Sequence, residues 1–181
     1  MNLRDKLRAV EGGGQKPQQP QRQYTACWHR REMRPMADFP RALEVRRETV
    51  MLMQGEEMPE DFDPRRILYL DTETTGFAGA GTVAFLVGVG SLAEDGFTVR
   101  QYLMRDYPEE RFQLRALEEE LAQFDVICSF NGRSFDVPLL RDRFLMNRMN
   151  PDCLDKPHID LLHMARRVWK LRLKQCNLGK L

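Results

Sequence analysis

The chain has 181 residues, 42% of them hydrophobic and 30% charged, with a net charge of +1, which fits one soluble domain with a real core and excludes a strongly basic or acidic tail protein. No apolar run approaches the ~18 residues of a membrane span, and the start M-N-L-R-D-K-L-R has no apolar signal region. The four cysteines, Cys27, Cys128, Cys153 and Cys176, form no C-x-x-C, so reduced thiols and a cytoplasmic location are the expectation.

In chain order, residues 1–10 read as a short amphipathic helix with Leu3, Leu7 and Val10 on one side. The Gly-, Gln- and Pro-rich stretch that follows reads as a flexible linker. Residues 24–35, Y-T-A-C-W-H-R-R-E-M-R-P, are basic with two aromatics. This composition fits contact with nucleic acid and, equally, docking of Tyr24 and Trp28 on a folded domain. We therefore expect a tail and linker over 1–40, a helical lead-in over 41–66 with a helix at 41–53, and a domain proper over 67–181.

Within that domain, strands are expected at Ile67–Asp71, Thr82–Gly90 and Phe97–Leu103, the last two joined by an E-D-G turn. A helix follows over 109–124 with Phe112, Leu117, Leu121 and Phe124 facing inward. A strand at Val126–Ser129, a helix at 137–149, a strand at His158–Leu161 and a helix at 162–173 complete the pattern. Three strands followed by alternating helices and strands predict an α/β fold with a mixed sheet.

The first of these strands ends in I-L-Y-L-D-T-E-T-T-G, where Asp71 and Glu73, two residues apart, project from one face. Two neighbouring carboxylates repel unless a cation lies between them or one binds a proton; a hard divalent ion is the natural partner. A second strand, V-I-C-S-F, opens into Asn131-Gly132 and then Asp136 at the mouth of a helix. Asp136 taken alone reads equally well as a helix cap. The glycines near residue 80 do not make a dinucleotide fingerprint, since a β-branched strand rather than a helix follows them.

D-T-E-T-T-G followed by N-G-R-S-F-D-V-P-L-L resembles the first two motifs of the DEDD, or DnaQ-like, 3′–5′ exonucleases, within the ribonuclease H-like superfamily. With the strand T-V-A-F-L-V-G-V-G and the later H-I-D-L-L-H-M-A-R-R-V-W, it resembles in particular the YprB-type ribonuclease H-like domain. The resemblance covers residues 67–181. It implies a three-layer ribonuclease H-like fold with a central mixed five-stranded sheet, lacking its C-terminal helix. It further implies a nuclease that hydrolyses phosphodiester bonds with two divalent cations, Mg²⁺ or Mn²⁺, on single-stranded nucleic acid ends. Asp71, Glu73 and Asp136 would be the catalytic and metal-binding residues. Thr74, Thr75, Gly76, Asn131 and Asp160 would border the substrate.

The family's fourth acid, on a His-x4-Asp or Tyr-x3-Asp helix, has no counterpart here, since no Asp or Glu follows Asp160. A truncated reading frame is the expectation, and a nucleic-acid-binding module without catalysis is the alternative. The charge distribution serves both readings. Residues 67–140 hold 5 Lys+Arg and 12 Asp+Glu, whereas residues 141–181 hold 10 and 4, an acidic centre beside a basic flank.

Overall fold

The computed structural model describes residues 27–76, 81–173, 176 and 178–180. The amphipathic helix expected at 1–10, the linker, Tyr24, and part of the glycine-rich turn that includes Gly79 lie outside the described residues.

The strand that carries the two acids lies in the interior of the sheet. Ile67–Thr74 (β2) pairs with Ala84–Leu92 (β3) antiparallel and with Val126–Ser129 (β5) parallel. Gly96–Leu103 (β4) returns antiparallel to β3 through the expected E-D-G turn, closed by the Ala93 amide on the Gly96 carbonyl. His158–Asp160 (β6) lies parallel to β5.

A further strand, Trp28–Pro35 (β1), pairs antiparallel with β4 along all eight of its residues. The described sheet therefore has six strands in the order β1-β4-β3-β2-β5-β6. The five expected strands are all present, and β1 extends them at the edge with part of the segment expected as tail and linker. The physical reason is that β1 is held by backbone hydrogen bonds to an open edge, not by burial. Its side chains are all exposed, so the sequence carries no hydrophobic alternation to reveal it. Gly96 makes the docking possible: a Cβ there would collide with the Arg34 carbonyl oxygen.

The helices are Arg47–Gln54 (α1), Glu110–Leu121 (α2), Asp136–Met146 (α3) and Leu161–Trp169 (α4). The helix expected over 41–53 is shorter, because the chain is extended at Val45 and Arg46 before α1 begins. On one face of the sheet, Leu68, Leu70, Val87, Val89 and Ile127 pack against Leu114, Leu117 and Leu121 of α2 and Leu140 and Phe144 of α3. The spacing of the three α2 leucines is that of an amphipathic helix stripe. Phe144 is fully buried, and truncating it to alanine would cost about 3–5 kcal/mol.

On the opposite face, Ile67, Val126, Cys128 and Ile159 pack against Val50 and Met51 of α1 and Met164 of α4, with Met58 between. The segment before residue 67 thus contributes to the core. Helices on both faces of a mixed sheet give the three-layer α/β architecture expected of a ribonuclease H-like fold. Among the described residues no helix is long and apolar enough to cross a membrane.

Candidate active site

The parallel strands β2, β5 and β6 all end on the same edge of the sheet, the place where α/β sheets hold their ligands. Asp71 and Glu73 occupy the end of β2, both exposed, on the α1/α4 side. A register shift between Glu73 and Thr74 ends the pairing with β3; such bulges re-aim side chains next to functional sites. Thr72, between the two acids, points to the opposite face.

There its hydroxyl makes a short hydrogen bond to Oδ1 of Asp136, in the first turn of α3. Asp136 is only 5% exposed. Its pKa is raised by burial and further by the Asp71 charge, while the Thr72 hydroxyl opposes the rise. The pKa of Asp71 is also raised, by the packed sheet around it and by Glu73, although its carboxylate reaches solvent. Among the described residues no lysine or arginine makes an ion pair with Asp71 or Glu73. Asp71 and Asp136 thus hold protons more tightly than usual.

An all-oxygen donor set of this kind fits a hard divalent ion. The three acids do not yet converge. Among the described residues no three Asp, Glu, His or Cys side chains form a ready metal-binding cluster, and Asp136 is turned onto Thr72.

The loop after β5 is built from the buried side. Asp160 is fully buried. Its Oδ1 accepts the Asn131 amide at 2.8 Å and caps α4 through the Leu162 amide at 3.0 Å, and its Oδ2 accepts the Arg133 amide at 3.3 Å. It has no exposed surface in this structure, so it would bear on a substrate only through the loop that it holds. Its carboxylate is instead consumed in holding the loop.

Asn131 is exposed and left-handed at φ 67°, a conformation asparagine tolerates better than most residues. Ser129 Oγ accepts the Gly132 amide at 3.1 Å and lies 2.7 Å from His158 Nε2. Gly132 is needed for close approach: a Cβ would sit 2.8 Å from Asp136 Oδ2 and closer still to Ser129. The buried pair Ser129–His158 was not among the sequence candidates. A short strand ending in Ser and another beginning with His gave no local signal of their contact.

Thr74, Thr75 and Gly76 form the turn after β2. Thr74 Oγ1 donates to the Gly76 carbonyl at 2.7 Å, and Thr75 Oγ1 accepts the Val83 amide at 3.2 Å. Thr75 stays exposed, beside the two acids. Arg166 and Arg167 of α4 are exposed; Lys174 lies outside the described residues. Arg141 and Arg143 are committed to ion pairs with Asp155 and Glu110, so they form no free basic surface.

Residues 68–181 match the RNase_H superfamily, and the chain belongs to it. It is similar to the uncharacterized protein YprB of Bacillus subtilis (strain 168), with 34% identity over 122 residues. That stretch is 65% of this chain and 29% of YprB, so the chain spans less than a third of the length of this curated relative. Membership of the superfamily implies nuclease-like hydrolysis of nucleic acid, generally with divalent metal ions.

Proposed function

We propose that this chain carries a metal-dependent nuclease site that removes nucleotides 3′–5′ from single-stranded ends, with Asp71, Glu73 and Asp136 as its acids. The observation that carries this reading is the Asp71–Glu73 pair at the end of the central strand. It has no cationic partner among the described residues, and it lies near enough to Asp136 for Asp71 to raise that residue's pKa.

Bound divalent cations, Mg²⁺ or Mn²⁺, would supply charge stabilisation for the attacking and leaving oxygens. The chain's own residues do the rest. Asp71 and Glu73 would hold the cations and orient the attacking water, and Asp136 would complete the set. The exposed Thr75 and the Gly76 backbone border the terminal nucleotide. Asn131, fixed by the Asp160 carboxylate on its amide, offers its side chain to the sugar. The four cysteines are free thiols, which supports a reducing, cytoplasmic setting.

A second reading, a nucleic-acid-binding module without catalysis, is favoured by one observation: the acids do not form a ready metal cluster among the described residues. Labelled single strands incubated with Mg²⁺ or Mn²⁺ separate the two. The nuclease reading expects stepwise shortening from the 3′ end that Asp71→Asn abolishes. Binding without shortening would favour the module.

A further inference from the structure

We propose that the half of the sheet face bearing Asp71 and Glu73 that no described helix covers is a track for single-stranded nucleic acid, entered over the edge strand β1. The proposal rests on the nuclease reading only for where the track leads; the binding itself stands apart from catalysis.

The strand registers lay this face out in rows. One row runs Asp71, Gly88, Gln101, Arg30, and the next runs Glu73, Leu86, Leu103, Trp28. A third runs Tyr69, Gly90, Val99, Glu32, and its end is walled by the Phe97 ring, in edge contact with Tyr69 and tilted against Phe39. Helices α1 and α4 cover the β2, β5 and β6 side of this face. On the β3, β4 and β1 side, Leu86, Gly88, Val99, Gln101 and Leu103 keep partial exposure. From Asp71 to Arg30 is three strand spacings, about 14 Å, enough for a short run of nucleotides.

The chemistry at the far end suits phosphates and unpaired bases. Arg30, Glu32, Arg34, Val99 and Gln101 line a depression of about 190 Å³. Arg30 and Arg34 share the single carboxylate of Glu32, at 3.2 and 3.1 Å, so positive charge is in excess there. Trp28, 44% exposed, lies on the same face as the two arginines and offers a stacking platform, the device that proteins use on unpaired bases.

Gly88 keeps the floor low between Asp71 and Gln101. A Cβ at Gly88 would make only an ordinary 3.7 Å contact with the Asp71 carbonyl oxygen, so packing does not demand the glycine. Passage of a ligand over it gives it a purpose.

The test is fluorescence anisotropy of labelled oligo-dT and oligo-U, with the whole chain in EDTA over a salt series. The two oligonucleotides separate DNA from RNA as the natural occupant. We expect Arg30→Ala/Arg34→Ala to weaken binding and to lower the salt slope by about 1 to 2, and Trp28→Ala to weaken it roughly tenfold. The charge-matched control Arg111→Ala/Arg115→Ala, on α2 over the opposite face, should bind as wild type. Arg30→Lys/Arg34→Lys should retain most of the affinity and the salt slope.

Binding equal in the edge-strand variants and the control overturns the track, as does absence of binding by the wild type. So does an effect of the β1 variants that appears only in self-association. A parallel cleavage assay with Mn²⁺ keeps the two readings apart. Cleavage with β1-independent binding sinks the track alone, and β1-dependent binding without cleavage sinks the nuclease alone.

Discussion

The Thr72 hydroxyl donates to Oδ1 of Asp136 and so ties the end of the central strand to the first turn of α3. One side chain of the D-T-E triplet thereby holds the acid that must join the other two. Thr72→Val keeps the shape and removes the donor. We expect a loss of about 1–3 kcal/mol in urea unfolding, because the buried carboxyl loses its hydroxyl donor. Thr72→Ser should recover most of it. Equal stability of the valine variant and the wild type would show that the bond is not formed in solution.

Gly132 is the second support of Asp136. The added methyl of Gly132→Ala meets both Ser129 and Asp136 Oδ2, so the carboxylate must move. A displacement of about 1 Å can cost ~100-fold in rate. The expected outcome is a fall of that order in the initial rate on a labelled single strand, with the far-UV circular dichroism of the wild type. An unchanged rate would remove Asp136 from the site.

Metal ions should act on stability in a direction fixed by the raised pKa values of Asp71 and Asp136. A carboxyl whose folded pKa lies above its unfolded value stabilises the fold at low pH. That contribution is lost as pH rises through the folded pKa. At neutral pH in EDTA the acids therefore oppose folding, and Asp71→Asn should melt no lower than wild type. Adding Mn²⁺ should raise the melting temperature of the wild type and leave Asp71→Asn nearly unmoved. Equal shifts in both proteins would argue against Asp71 as a ligand.

His158 sets a second pH dependence, of opposite sign. Burial, helped by the nearby Arg133 and His163 charges, lowers its pKa below the ordinary 6.5. Ser129 Oγ accepts the Gly132 amide and lies beside Nε2 of the imidazole, whose tautomer sets which of the two donates. The depressed pKa means that this stability is fully present above about pH 6.5 and is lost as pH falls through the folded value. The urea midpoint of the wild type should drop between pH 7.5 and 5.5, and His158→Gln should flatten that part of the profile. A His158→Gln profile with the same slope as the wild type across this window would contradict a neutral buried imidazole.

The sequence by itself determined the strands and helices whose side chains are buried. Alternation and apolar spacing are local consequences of burial, and so β2, β3, α2 and the E-D-G turn were legible. It also determined which residue types stand at the strand ends, and hence the acidic character of Asp71, Glu73 and Asp136.

Only the tertiary structure decided what those residues touch. Strand β1 is bound by backbone groups to an edge formed some 70 residues later, and no pattern in W-H-R-R-E-M-R-P records that pairing. Asp160, read as a residue bordering substrate, is a buried cap because three amides from two different elements converge on it. Thr72, Ser129 and His158 act through partners 64 and 29 residues away. The chemistry of a side chain is local and can be read in order along the chain, whereas hydrogen-bond partners and exposure depend on how distant segments meet in the sheet.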